Sequence, residues 1–246
     1  MSGHSKWHTT KRHKAVIDAK RGKIFSVLSK EITLAARAGG GGVESNAKLR
    51  TLLLKARAAN MPTDNIDRAV KKGTGEIPGM VYEEIVYEGF GPGGVGIIVE
   101  CTTDNKTRTV AEVRSAFTKA GGSMATLGAL AHSFHKKGRL ILAADAVSED
   151  KLMEIALDAG AEDIVNHGDH FEVLTAVRDY DTVAKALDDK GLKPESSEIE
   201  YIPTSGTPVN DIAVAQKLLA LIETLDGLDD VKAVHANHEF GDAVQL

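Results

Sequence analysis

The sequence has little of what usually marks an enzyme, a secreted protein or a membrane protein. Cys101 is its one cysteine among 246 residues, so no internal disulfide can form, which fits a reducing cytosol. No apolar run approaches the ~18 residues needed to span a bilayer. The first residues lack an apolar core ahead of a small-residue cleavage site, which argues against a secretory signal. Beyond the first methionine, Trp7 is the one large apolar group up to Lys14, too little for an amphipathic transit helix. A cytoplasmic protein without a membrane partner is expected.

Catalytic signatures are missing as well. There is no G-x-S-x-G and no H-E-x-x-H, and no G-K-[ST] follows the run Gly39 to Gly42. Cys101 closes the apolar stretch Val95 to Cys101 and reads as core packing. Six of the nine histidines form H-x-x-H pairs, namely His132/His135, His167/His170 and His235/His238. Near strands, residues at that spacing point to opposite faces and do not chelate together without a turn. His167-Gly-Asp-His170 has the composition of a hairpin turn. Gly89-Phe-Gly91-Pro-Gly93-Gly94 contains a literal G-x-G-x-x-G, but strand-like Val95-Gly-Ile-Ile-Val follows where a dinucleotide site needs a helix N-terminus. It is expected to be a hairpin connection. The reading is therefore non-enzymatic, with no catalytic residue, no metal site and no cofactor.

What the chain does have is a division of charge. Residues 1–73 hold 16 Lys+Arg and 5 Asp+Glu, whereas residues 74–246 hold 14 and 30. A basic front joined to an acidic back points to a polyanion at one end. Lys6, Lys11, Arg12, Lys14, Lys20, Arg21 and Lys23 are opposed only by Asp18 in the first 23 residues. Trp7 stands among them, and an indole stacks on a base or packs on a sugar. Lys30 extends the basic face, and Arg108 with Arg114 forms a second, weaker basic feature. These eleven residues are the candidate nucleic-acid contacts, made to phosphates rather than base edges. The partner is a nucleic acid, DNA or ribosomal RNA within a ribosome, and charge alone does not separate the two; the oligomeric state is not legible.

Periodicity supplies the frame. Phe25, Leu28, Ile32 and Ala35 form one apolar stripe of a helix over 15–37, and Lys23, Lys30 and Arg37 stack on a second face. A helix over 46–59 and another over 64–72, capped by Thr63, complete a small bundle with basic outer faces. Residues 1–14 show no apolar period and are expected to be a mobile arm. Beyond Pro78, strands are expected at 82–87, 95–101, 139–143, 163–166, 171–177, 199–202 and 231–236. Helices are expected from Asp104 or Asn105 to 120, and over 151–159, 181–190 and 209–225. The short connections suit two compact α+β units, each a few-stranded sheet with helices on one face.

Several blocks together resemble the YebC-type family. They are Gly3-His-Ser-Lys-Trp7, Ala19-Lys-Arg-Gly-Lys-Ile-Phe25, Asn60-Met-Pro, Asp64-Asn-Ile and Arg68-Ala-Val-Lys-Lys-Gly73. Tyr87-Glu-Gly-Phe-Gly-Pro-Gly-Gly94, Asp104-Asn105 and Arg108-Thr-Val-Ala-Glu-Val-Arg114 with Ser-Ala-Phe117 continue the match. At Gly128 to Phe134 the sequence departs from it, His132 standing where an aromatic is expected. The resemblance implies an α+β protein, an N-terminal helical bundle followed by two small ferredoxin-like α+β domains, one inserted in the other. The boundaries it suggests are 1–79, then 80–131 with 203–246, and 132–202 as the insertion. It also implies a DNA-binding transcriptional regulator, with a ribosome-associated translational activator as the alternative.

Overall fold

A computed structural model describes the backbone of residues 4–241 and 244, with side chains from Arg21 onward. Helix α1 (His4–Gly39) runs for 36 residues, so the arm expected to be mobile is helical, and the start at residue 15 is corrected. No proline and only Gly22 interrupt the sequence between His4 and Ala38. Once the packed C-terminal half is nucleated, each added residue gains a hydrogen bond cheaply, so the helix extends backwards without an apolar face.

Helices α2 (Ala47–Ala58) and α3 (Thr63–Thr74) pack on α1. Their shared core comprises Leu28, Ile32, Leu49, Leu53, Met61 and Ile66, with Phe25 partly buried against it, as the apolar stripes require. Gly73 permits the close approach of α3 to α1: a Cβ there would lie 2.5 Å from the Thr33 carbonyl oxygen and 2.6 Å from the Ala36 Cβ. Thr33 Oγ1 donates to the Ala69 carbonyl at 3.1 Å across the same contact. Gly40 ends α1 at a φ of 79°. Asn46 fixes the turn that follows: its Oδ1 accepts from Leu49 N at 3.0 Å, and its Nδ2 donates to the Ala35 and Gly40 carbonyls at 2.9 and 2.8 Å. The cap expected at Thr63 falls on Pro62, whose carbonyl accepts from Asn65 and Ile66 while Thr63 is already helical.

Next come β1 (Glu83–Phe90) and β2 (Gly96–Thr103), joined by a 3-10 turn at Pro92–Gly94. Gly91 N donates to the Val95 carbonyl at 2.8 Å, and Gly93 and Gly94 have φ of 76° and 75°. Strand, not helix, follows the G-x-G-x-x-G run, as expected. Helix α4 (Lys106–Lys119) is capped by Asn105, whose side chain accepts from Arg108 N at 3.0 Å.

After β3 (Ser123–Ala125) the chain forms β4 (Phe134–Ala143), α5 (Glu149–Asp158), β5 (Ala161–Asn166), β6 (His170–Ala176), α6 (Tyr180–Asp189) and β7 (Ser196–Pro203). The sheet order is β5-β6-β4-β7 with antiparallel pairings, the ferredoxin-like βαββαβ arrangement. Leu140, Leu142, Leu152, Phe171, Val173, Val183 and Leu187 fill its core. The chain closes with β8 (Thr207–Val209), α7 (Ile212–Asp226), β9 (Val231–Ala236) and β10 (His238–Phe240). A second four-stranded sheet has the order β3-β1-β2-β9, and β8 pairs with β10 in parallel. The helix expected from Val209 starts at Ile212 because Val209 is paired with Phe240, and Asp211 caps the helix by accepting from Val214 N at 3.0 Å. Strands β3, β8 and β10 were not expected; three residues are too few to show a period.

Two compact units result. One comprises the described residues of Met1–Tyr87 with Val99–Met124 and Leu218–Val234, the other Glu88–Ile98, Ala125–Lys217 and the described residues of His235–Leu246.

Candidate nucleic-acid interface

Lys6, Trp7, Lys11, Arg12, Lys14 and Lys20 lie along the N-terminal half of α1, and their side chains fall outside the described residues. The first turn of α1 contains no acidic residue. A helix N-terminus carries partial positive charge, so a cluster of lysines and arginines there is unfavourable until an anion meets it. Arg21, the next residue after Lys20, is exposed.

The seven-residue stripe behaves differently from the outer basic face expected of it. Lys23 Nζ lies 3.2 Å from Asp226, Lys30 Nζ lies 2.9 Å from Asp230, and Arg37 donates to the Met80 carbonyl at 3.5 Å. Lys30 also donates to the Thr102 and Asp229 carbonyls at 3.3 and 2.9 Å. The spacing is a docking stripe, turned towards the protein's own acceptors. One buried carboxylate organises it. Asp230, 3% exposed, accepts from Lys30, from Arg108 Nη2 at 2.7 Å and Nε at 3.2 Å, from Thr103 Oγ1 at 3.0 Å and from Thr109 Oγ1 at 2.8 Å. Burial alone would raise its pKa, but the bonds from Lys30, Arg108 and Thr109 outweigh burial and hold it well below the usual carboxylate range. Arg108 is held a second time by Asp104 at 2.8 Å. Beside this node, Lys232 Nζ reaches Glu31 at 2.7 Å. Burial would lower the Lys232 pKa, and the Glu31 carboxylate raises it. The charges of Lys30 and Arg108, both candidates for phosphate contact, are thus met by the protein's own carboxylates, that of Arg108 at the surface.

Arg114 on α4 is exposed, as are Arg50 and Arg57 on α2 and Arg68 and Lys71 on α3. No carboxylate lies within 4 Å of these five side chains among the described residues. Arg57 and Lys71 stand on the wall of a cleft of about 270 Å³ between α2, α3 and the glycine turn. Leu53, Ile66 and Val70 supply its apolar surface, and Thr63, Asp67, Glu76 and Gly41 complete it.

The residues set aside for metal or redox chemistry do not converge. No group of three or more His, Cys, Asp or Glu side chains is arranged to hold a metal among the described residues. His167 and His170 flank a hairpin turn, their rings stacked with centroids 4.6 Å apart, His167 against Glu172 at 3.0 Å and His170 against Asp169 at 2.7 Å. Cys101 is buried. Desolvation, reinforced by Asp230, pushes its thiol up to about 12. No helix among the described residues is long and apolar enough to cross a membrane.

Residues 5–76 match the family model of the TACO1/YebC protein N-terminal domain, and residues 82–238 that of the TACO1/YebC second and third domain. The chain belongs to the TACO1/YebC family. A relative from Opitutus terrae is 55% identical over 99% of this chain and 98% of its own length. Another from Leptospira biflexa is 52% identical over the whole of both chains. Both bear the name probable transcriptional regulatory protein. A conserved hypothetical protein from Aquifex aeolicus, known as a crystal structure, is 42% identical, with a TM-score of 0.82 over 92% of this chain and 93% of that one.

Sequence reasoning about this YebC-family chain missed Asp230 altogether. Leu228-Asp-Asp-Val231 offers no motif, and its partners Lys30 and Arg108 are 200 and 122 residues away. The one available signal was the recurrence of Lys23, Lys30 and Arg37 at intervals of seven, which marks a single face without saying what lies against it.

Proposed function

We propose that this chain is a nucleic-acid-binding regulator acting in the cytoplasm without chemistry of its own, and that the basic end of α1 grips the phosphate backbone of DNA. The observation that carries the reading is the charge of α1: its N-terminal half concentrates Lys6, Lys11, Arg12, Lys14, Lys20 and Arg21 on one continuous helix with no acidic residue in the first turn. Phosphates would neutralise those cations and the helix N-terminus together. Trp7 adds a ring able to stack on an exposed base or lie against a sugar. Exposed Arg114 adds a contact, whereas Lys30 and Arg108 serve to seat α1 rather than to meet phosphate. The names of the relatives support a regulatory role in transcription.

Salt decides the matter. Labelled duplex DNA is titrated with the full chain and with a chain lacking residues 1–23, at ~50 and ~150 mM salt, with purified ribosomes added as competitor. The full chain is expected to bind with an affinity falling steeply as salt rises, and the shortened chain to lose binding while losing only the helical signal of the removed part of α1 and still unfolding cooperatively. Equal affinities for the two chains would refute the assignment. Transfer of the label-free protein to ribosomes at the higher salt would replace DNA by ribosomal RNA as the partner.

A further inference from the structure

The helical bundle carries a second feature that phosphate-backbone binding does not use. The cleft between α2 and α3, open to solvent, offers about 270 Å³, slightly under the roughly 300–1,000 Å³ of sites for drug-sized ligands. One ring system with its substituent fits such a volume. Its lining has three chemistries. Half-buried Val70 and the edges of the core residues Leu53 and Ile66 offer apolar contact; Arg57 and Lys71 are cations; Asp67 and Glu76 are carboxylates. Two of these four charged groups lie on successive turns of α3, yet Asp67 and Lys71 do not come within 4 Å of each other. Arg57 also keeps no carboxylate within that distance among the described residues. Glu76 Oε1 accepts from Thr74 Oγ1 at 2.9 Å, which holds that carboxylate in place with its other oxygen uncommitted by this bond.

A free phosphate or an anionic lipid headgroup suits the cations but is repelled by the carboxylates. A cationic ligand meets the reverse problem. A nucleotide satisfies all three: apolar side chains against the faces of the base, arginine and lysine on the phosphate, and carboxylates accepting from amino or imino N–H groups on the base edge. Resting on the nucleic-acid reading above, we infer that this cleft receives a single unpaired nucleotide whose base bears an exocyclic amino group. A base in a duplex has that edge occupied by its partner, so the cleft acts on single-stranded or extruded nucleotides. Uracil and thymine present a lone N3–H flanked by two carbonyl oxygens that the carboxylates repel, so that edge pairs poorly with Asp67 and Glu76.

Glycine at position 41 keeps the cleft open beside the turn. A Cβ there would lie 3.0 Å from Thr74 Cγ2 and 3.3 Å from Val70 Cγ1.

The test compares 12-residue homopolymers of A, C and U, and of dA, dC and dT, binding to the full chain at ~150 mM salt, where backbone attraction is weakened. The A and C polymers are expected to bind about fivefold or more tightly than U and T, the lower end for one good base-edge pairing. Ribose and deoxyribose series decide between RNA and DNA as the source. The Asp67→Asn/Glu76→Gln variant removes two negative charges at exposed positions, so charge alone predicts tighter binding of every polymer. The cleft model predicts instead that U and T gain or hold affinity while the preference for A and C collapses. Equal binding of all polymers by the unaltered chain, with duplex binding retained, overturns the cleft alone, as does a preference that survives in the double variant. Failure to bind any polymer or duplex overturns both this inference and the reading it rests on.

Discussion

Asp230 holds three elements of one unit together through a single carboxylate. Lys30 comes from α1, Thr103 from β2, and Arg108 and Thr109 from α4. Asn at this position keeps the shape but leaves two cations facing a neutral amide. Removing one partner of a buried pair costs about 3–5 kcal/mol. Because Arg108 is 45% exposed and can turn to water, Asp230→Asn is expected to lose about 3 kcal/mol, the lower end of that range, read by urea unfolding. The pH dependence has a definite sign. A depressed folded pKa contributes stability that is complete above the unfolded carboxylate value of about 3.9 and disappears as pH falls through the lower folded value. The gap between the original chain and the variant should therefore be constant near neutrality and narrow below about pH 4; a gap that widens in acid would contradict the assignment. At this scale the sequence shows which residues are charged but not which charge meets which. Lys71 and Lys30 look alike in a string of letters, and only the fold brings Asp230 against Lys30.

Elements were more legible than residues, for a physical reason. Apolar spacing reports burial directly, so the stripe through Leu28, Ile32 and Ala35, the helix through Leu49, Leu52 and Leu53, strand β6 and the second half of β4 could be placed from pattern alone, whereas the first half of β4, Phe134-His-Lys-Lys-Gly138, was not expected to be strand. The extension of α1 back to His4 escaped that reasoning because a solvated helix needs no apolar face once a packed segment nucleates it. The three-residue strands escaped because pairing, not period, defines them. The turn after α1 shows how one side chain completes an element. Asn46 supplies the N-cap of α2 and donates to two carbonyls left by the end of α1, within a buried setting. Asn46→Ala removes the cap and leaves those acceptors without their donor. The cost expected is about 2 kcal/mol, the sum of a modest cap and buried polar groups left unpaired. Thermal unfolding followed by circular dichroism checks it, and a change within a few tenths of a kcal/mol would mean that the glycine run, not Asn46, sets the turn.

For the molecule as a whole, the division of charge in the sequence meets a division in chain path. Segment 134–203 starts and ends at one place: Phe134 pairs with Pro203, Thr204 N donates to the Ser133 carbonyl at 2.9 Å, and Thr204 Oγ1 donates to that of His132 at 2.9 Å. A segment whose ends touch, with its own core and sheet, is removable in principle without pulling its neighbours apart. It is also among the most acidic parts of the chain, with 8 Lys+Arg against 16 Asp+Glu over residues 132–202. If phosphate contact belongs to the basic end, this segment only repels the polyanion. Replacing residues 134–203 by a short Gly-Ser link should then leave a folded chain that binds duplex DNA as tightly as before at ~150 mM salt and more tightly at ~50 mM, where less of the repulsion is screened. The excised segment, expressed alone, should unfold in one cooperative transition and show no affinity for DNA. Binding lost from the shortened chain, or found in the excised segment, would move the nucleic-acid contact into the acidic half and undo the argument from charge.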